Sequence, residues 1–192
     1  MHNLKMRQWL EGAAATLMLT LTANVASADT NVLKSDPALD KSVMATLEQC
    51  QQISSSCKTM TKDAVGVLVF PTVTKADLIV GGAGGKGALV ENGKITGYYS
   101  IGAASAGLQV GIESASQVYA FRTPESLAKL KEGPAWKAGA TAGVTVIAAD
   151  ANARAATGDV PAYVFDAKGL NAGISLDVFD VWKTEKARPS QS

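Results

Sequence analysis

The 192-residue chain is close to charge balance, with 18 Lys and Arg against 17 Asp and Glu, and its one histidine is His2. That balance lacks the basic excess by which nucleic-acid binders hold phosphates. A lone imidazole at the second residue leaves the rest of the chain without His-assisted nucleophiles, imidazole acid–base chemistry or His-ligated zinc.

The first segment reads as an export signal. His2, Lys5 and Arg7 give a basic start offset only by Glu11, and a mostly apolar run from Ala13 to Ala26 ends in Ala26-Ser27-Ala28, the small-x-small pattern of a signal-peptidase site. The run of 14 residues is too short for a membrane-spanning helix, which needs about 20. Cleavage after Ala28 is therefore expected, with the mature protein periplasmic or secreted. It would remove Lys5, Arg7 and Glu11, leaving 16 charges of each sign on a neutral domain of 164 residues (192 less 28). That length suits one domain with a real core.

Residues 29–35 read as a flexible lead-in. Ser35 or Asp36 can cap a helix with Pro37 in its first turn, and Leu39, Val43, Leu47, Cys50 and Ile53 recur at three- and four-residue steps. Cys50 and Cys57 are the only cysteines. An even count in an exported chain predicts a disulfide. On one continuous helix, however, the two would lie about 10 Å apart along the axis, so a bridge requires a break at Ser54-Ser55-Ser56. Two packed free thiols are the alternative. A shorter helix is expected around Cys57 to Ala64.

From Val65 the apolar period changes to that of strands. Val65 to Phe70 reads as a buried strand ended by Pro71, and Asp77 to Val80 as extended. Gly87 to Glu91 and Lys94 to Ile101 flank Asn92-Gly93, a two-residue hairpin turn. Further strands are expected at 106–113, 116–122, 139–148, 160–166 and 170–182, the last two separated by a turn at Asp166-Ala167-Lys168-Gly169. One helix interrupts them, with Thr123 as cap, Pro124 at its first position, Leu127 and Leu130 inward and Gly133 as stop. The expected fold is α+β: an N-terminal helical segment, then a mainly antiparallel, strongly curved, glycine-rich sheet, barrel-like or sandwich, with one inserted helix.

Little in the chain points to catalysis. Asp77, Glu113, Asp150, Asp159, Asp166, Asp177 and Asp180 lie on or beside expected strands. Paired acids can hydrolyse glycosides, but no spacing singles out a pair. Gly82, Gly84 and Gly87 fit G-x-G-x-x-G, which binds dinucleotides only where it joins a strand to a helix; here a strand follows. No nucleotide, cofactor or metal is expected.

Several runs together carry a resemblance: Gly66-Val67-Leu68-Val69-Phe70-Pro71, Lys75-Ala76, Gly81-Gly82 through Gly84, Gly87-Ala88-Leu89, Gly97-Tyr98-Tyr99-Ser100 and Gly107-Leu108-Gln109-Val110-Gly111. With Trp136, Gly139 and Gly169-Leu170, they make residues 36–182 similar to the SYLF family, also called the Ysc84 or Las17-binding actin-regulator domain. The resemblance implies a non-enzymatic, lipid-binding domain. Its eukaryotic relatives engage phosphoinositide membranes through a basic surface and an amphipathic N-terminal segment.

The division expected is 1–28 signal peptide, 29–35 lead-in, 36–182 domain and 183–192 polar tail. The expected partner is a membrane lipid or another envelope component. Candidate basic contacts are Lys86, Lys94, Arg122, Lys129, Lys131, Lys137, Lys183, Lys186 and Arg188. Lys129, Lys131, Lys183, Lys186 and Arg188 stand out because neighbouring charges add at a membrane surface; the plainer reading is solubilising charge. Rival functions are a small outer-membrane β-barrel and a carboxylate-dependent envelope hydrolase.

Overall fold

A computed structural model describes residues 35–77, 81–105, 111–138, 144–148, 158–168 and 179–184, all within one compact unit, Leu33–Ser192. Helix α1 (Pro37–Ile53) begins where the Asp36 carboxylate accepts a hydrogen bond from the Leu39 N–H at 3.1 Å. Pro37 takes the position where a missing N–H costs nothing. The helix ends at Ser54, whose backbone turns extended (φ −139°, ψ 115°). The Ser54 hydroxyl then caps α2 (Ser55–Asp63), accepting from the Cys57 N–H at 3.2 Å. This break brings Cys50 and Cys57 to a Cα separation of 6.0 Å, where they form a disulfide.

Eight strands follow: β1 (Gly66–Asp77), β2 (Gly81–Glu91), β3 (Lys94–Ser105), β4 (Gly111–Phe121), β5 (Trp136–Ala138), β6 (Val144–Ala148), β7 (Val160–Lys168) and β8 (Phe179–Lys183). Helix α3 (Pro124–Glu132) lies between β4 and β5, capped by the Thr123 hydroxyl and stopped at Gly133. The sheet order is β5-β8-β3-β2-β1-β4-β7-β6, antiparallel except for the β6–β7 pair.

The β2–β3 hairpin turns on Asn92 and Gly93, with φ of 51° and 73°, as the Asn-Gly signal predicts. Several local expectations change, among them that the strands expected at 106–113 and 116–122 run together as β4 through Ser114 and Ala115. Pro71 does not end its strand: the register shifts across Phe70–Val73, and β1 continues to Asp77. A bulge skips one ladder position, and there a proline's missing N–H is tolerated. Asp166 takes a positive φ of 55°, but it forms a bulge within β7 rather than a turn between strands. Trp136–Ala138, to which the sequence reading assigns no element, is the edge strand β5. The expected strand segments 106–110, 139–143 and 170–178 lie outside the described residues.

The sheet curls on itself. The Trp136 ring on β5 lies 5.7 Å from the Tyr119 ring and 5.2 Å from the Phe121 ring, both on β4. In a flat sheet those strands would be five spacings, about 24 Å, apart. Connectivity demands the same curvature: a flat eight-stranded sheet separates its edges by roughly 33 Å, whereas the chain from Ala138 to Val144 reaches about 21 Å at most. The result is a nearly closed, barrel-like sheet.

Two apolar clusters occupy its two faces. Inside lie Leu68, Phe70, Leu89, Tyr99, Tyr119, Phe121, Trp136, Val160 and Val181, with Leu127 and Leu130 of α3 closing one end. Outside, Val43, Leu47, Cys50 and Cys57 of the helix pair cover Val67, Val69, Ala88, Val90, Val118, Tyr163 and Phe165. Alternation along each strand sends neighbouring residues to opposite clusters, as in Val67-Leu68-Val69-Phe70.

Candidate functional site

Polar pins fix the helix cover at both ends. The Tyr98 hydroxyl on β3 donates to the Asp40 carboxylate at 2.6 Å and accepts from the Asp36 N–H at 3.0 Å. At the other end the Ser56 and Tyr163 hydroxyls lie 3.0 Å apart. Burial, and then the Asp40 carboxylate, pushes the Tyr98 phenol above its ordinary pKa. The sulfurs lie beneath the cover, with Cys50 and Cys57 1% and 0% exposed, which keeps a reductant out until the helices lift.

The α3 end of the barrel carries most of the described cations proposed from sequence. Lys129 is exposed on α3, and Lys183, at the end of β8, is half-buried. Lys131 places its ammonium 2.8 Å from both Glu91 carboxylate oxygens, tying α3 to β2. Burial alone would raise the Glu91 carboxyl. Hydrogen bonds from Lys131 and Thr96, with the Lys131 charge, outweigh it and hold the group below its ordinary value. Lys137 pairs with Asp180 at 3.0 Å. Lys186 and Arg188 lie outside the described residues. Helix α3, which carries Lys129, packs against β8, which ends at Lys183, and Lys131 is committed to a neighbouring acid. The α3 segment itself, with Glu125, Lys129, Lys131 and Glu132, has no net charge.

The family-motif glycines divide by environment. A Cβ on Gly87 would collide with the Val69 carbonyl and lie 2.5 Å from the Phe70 ring, and one on Gly85 would meet the Thr72 carbonyl at 2.5 Å. Both face the Phe70–Val73 bulge, so they let two backbones approach closely. Gly84 has room, its nearest neighbour being 3.7 Å away. Gly81 and Gly82 pair with Ser105 and Ala104, and Gly111 with Asp77; Gly107 lies outside the described residues. Because Gly82, Gly84 and Gly87 all belong to β2, this run does not supply the helix N-terminus a dinucleotide motif uses.

Of the acids proposed for catalysis, Asp159, just before β7, and Asp166, within it, are exposed, Asp180 is paired with Lys137, and Asp77 and Glu113 stand on the adjacent strands β1 and β4, two register positions apart. Asp150 and Asp177 lie outside the described residues. Among the described residues no three metal-ligating side chains converge, and no helix is long and apolar enough to cross a membrane.

One polar pair lies within the barrel that sequence reasoning missed. The Tyr119 hydroxyl donates to the Gln117 carbonyl oxygen at 2.6 Å. Burial pushes the Tyr119 phenol well above the ordinary tyrosine range. Alternation along β4 was the signal that could have found it, since Gln117, Tyr119 and Phe121 share a face.

Residues 102–188 match a family model, Ysc84, described as Las17-binding protein actin regulator. That stretch of the chain is similar to the Ysc84 family. The match runs from the second half of β3 through β8 and includes the Gly107–Gly111, Trp136, Gly139 and Gly169-Leu170 signals. Strands β1 and β2, which carry the earlier motifs, lie outside the match but are hydrogen-bonded into the same sheet. No curated protein matches the chain.

Proposed function

We propose that this chain is a non-enzymatic binding protein of the cell envelope that engages phospholipid. The match over residues 102–188 carries the reading, because the resemblance implies lipid binding. One feature supports it: the imidazole-free sequence that follows the export pattern. The export pattern at residues 13–28 supports a location outside the cytoplasm.

Charge balance argues that attraction to anionic headgroups is local rather than global. Lys129 and Lys183 are the described cations best placed for it, and Lys186 and Arg188 follow Lys183 in sequence. The test is sedimentation of the protein with phosphatidylcholine vesicles and with vesicles containing phosphatidylglycerol, at low salt. Enrichment on the anionic vesicles is expected. Lys129→Gln combined with Lys183→Gln should weaken it by about 2 kcal/mol, roughly thirtyfold. No enrichment on either vesicle would contradict the proposal.

A further inference from the structure

At the tip of the β2–β3 hairpin one carboxylate stands among donors. Glu91, the last residue of β2, accepts from the Lys131 ammonium of α3 and from the Thr96 hydroxyl of β3. Lys94, the first residue of β3, is its register partner across the Asn92-Gly93 turn, so the two share a face, and Lys94 is exposed. The ion pair has an inner and an outer member. The Glu91 side chain is 16% exposed and that of Lys131 is 40% exposed, so the lysine is the partner that an anion arriving from outside meets.

That lysine offers little charge while Glu91 is ionised. Opposite charges 2.8 Å apart act outward as a dipole, and beyond the screening distance of about 8–10 Å their fields nearly cancel. The hairpin tip and α3 together carry Lys94, Lys129 and Lys131 against Glu91, Glu125 and Glu132, so this end is balanced and loss of the Glu91 charge leaves it positive. The helix has a seat besides the pair. Leu127 and Leu130 are buried in the inner cluster, and Leu127 packs so closely on Gly66 that a Cβ there would lie 2.9 Å from it. Neutralising Glu91 therefore changes the charge at this end while the leucines keep α3 in place.

We infer that Glu91 is a built-in restraint on lipid engagement: its carboxylate cancels Lys131, and neutralising it releases Lys131 to the phosphate of an anionic lipid headgroup. Lys94 and Lys129 flank the released ammonium in sequence and register. The inference rests on the phospholipid reading and adds a regulation to it. Acid is the agent. The charged groups facing Glu91 are Lys131 from α3 and Lys94 from β3, while Glu125 and Glu132 of α3 are exposed. Because its bonds and the Lys131 charge hold the Glu91 carboxyl below the ordinary glutamate value of about 4.3, release comes only in distinctly acid surroundings.

The test compares the natural protein with Glu91→Gln, both expressed with the chain's own leader, by sedimentation with phosphatidylglycerol vesicles at low salt. Glutamine keeps an acceptor for Lys131 and Thr96 but carries no charge. At neutral pH, Glu91→Gln should bind about fivefold more tightly, the effect of one freed lysine at an anionic surface. Amine acetylation read by mass spectrometry should show vesicles shielding Lys131 in Glu91→Gln and not in the natural protein. As pH falls through the carboxylate range the natural protein should close the gap. Equal affinity at neutral pH, with the natural protein bound, would overturn the restraint and leave the phospholipid reading standing. A gain without shielding of Lys131, or a gap unchanged in acid, would overturn it equally. If neither protein sediments, the phospholipid reading falls and the restraint falls with it.

Discussion

Gly87 and Gly84 lie three residues apart on one strand and have opposite tolerances. A methyl group at Gly87 would press on the Val69 carbonyl and the Phe70 ring, whereas at Gly84 it meets nothing nearer than 3.7 Å. Gly87→Ala is expected to cost about 1–3 kcal/mol by overpacking. Gly84→Ala should stay within about 0.5 kcal/mol. Urea denaturation of the two variants checks both; equal midpoints would contradict the close approach. Tyr119 sets a pH dependence. Its phenol is held protonated in the folded state by burial, so unfolding becomes easier once pH exceeds the ordinary tyrosine value of about 10. Tyr119→Phe should make the alkaline fall in melting temperature shallower, although Tyr98 and Tyr163, also raised, keep part of it. The sequence shows a dense glycine run but not which members are obligatory, because that depends on where the Pro71 bulge places a carbonyl.

The helix pair behaves as a separate element because its apolar contacts are all on the outer face, while the barrel keeps its own inner cluster. The disulfide closes a short loop around Ser54, and removing it with Cys50→Ala and Cys57→Ala should lower stability by about 2–3 kcal/mol. Hydrogen exchange should then quicken in α1 and α2 while β1–β4 hold their protection; uniform loss across the sheet would show that the cover and barrel are one unit. On the barrel's far side, the Lys131–Glu91 bridge holds α3. The depressed Glu91 carboxyl means that its stabilisation is present at neutral pH and fades as pH falls through the carboxylate range near about 4. Lys131→Met should flatten that acid limb in thermal melts. Element starts and stops were the most legible features: Asp36, Ser54, Asn92-Gly93, Thr123-Pro124 and Gly133 all act locally, through a cap, a positive φ or a missing donor. Pro71 and Asp166 misled because the same local preferences serve bulges as well as ends, and only the neighbouring strand's register decides between them. Trp136–Ala138 was illegible as a strand because a single apolar–polar–apolar step is too short to tell from chance; its partner β8 defines it.

At the scale of the molecule, the curved antiparallel sheet with one inserted helix followed from glycine density and turn spacing, whereas closure did not, since it depends on which strands form the two edges. The site was less legible still. Lysines could be counted from sequence, but their acid partners could not: Lys131 is engaged with Glu91, and Lys129 has no acid partner among the described residues. The inward Gln117 was hidden among residues of similar polarity. The central claim is that the domain holds lipid rather than transforming a substrate. The most direct measurement is mass spectrometry of organic extracts from protein purified in its native compartment without detergent. A lipid species near one per protein, absent from a control protein exported by the same route, is the predicted result. Extracts matching the control, together with hydrolysis that disappears on replacing one of its acidic side chains, would contradict the account.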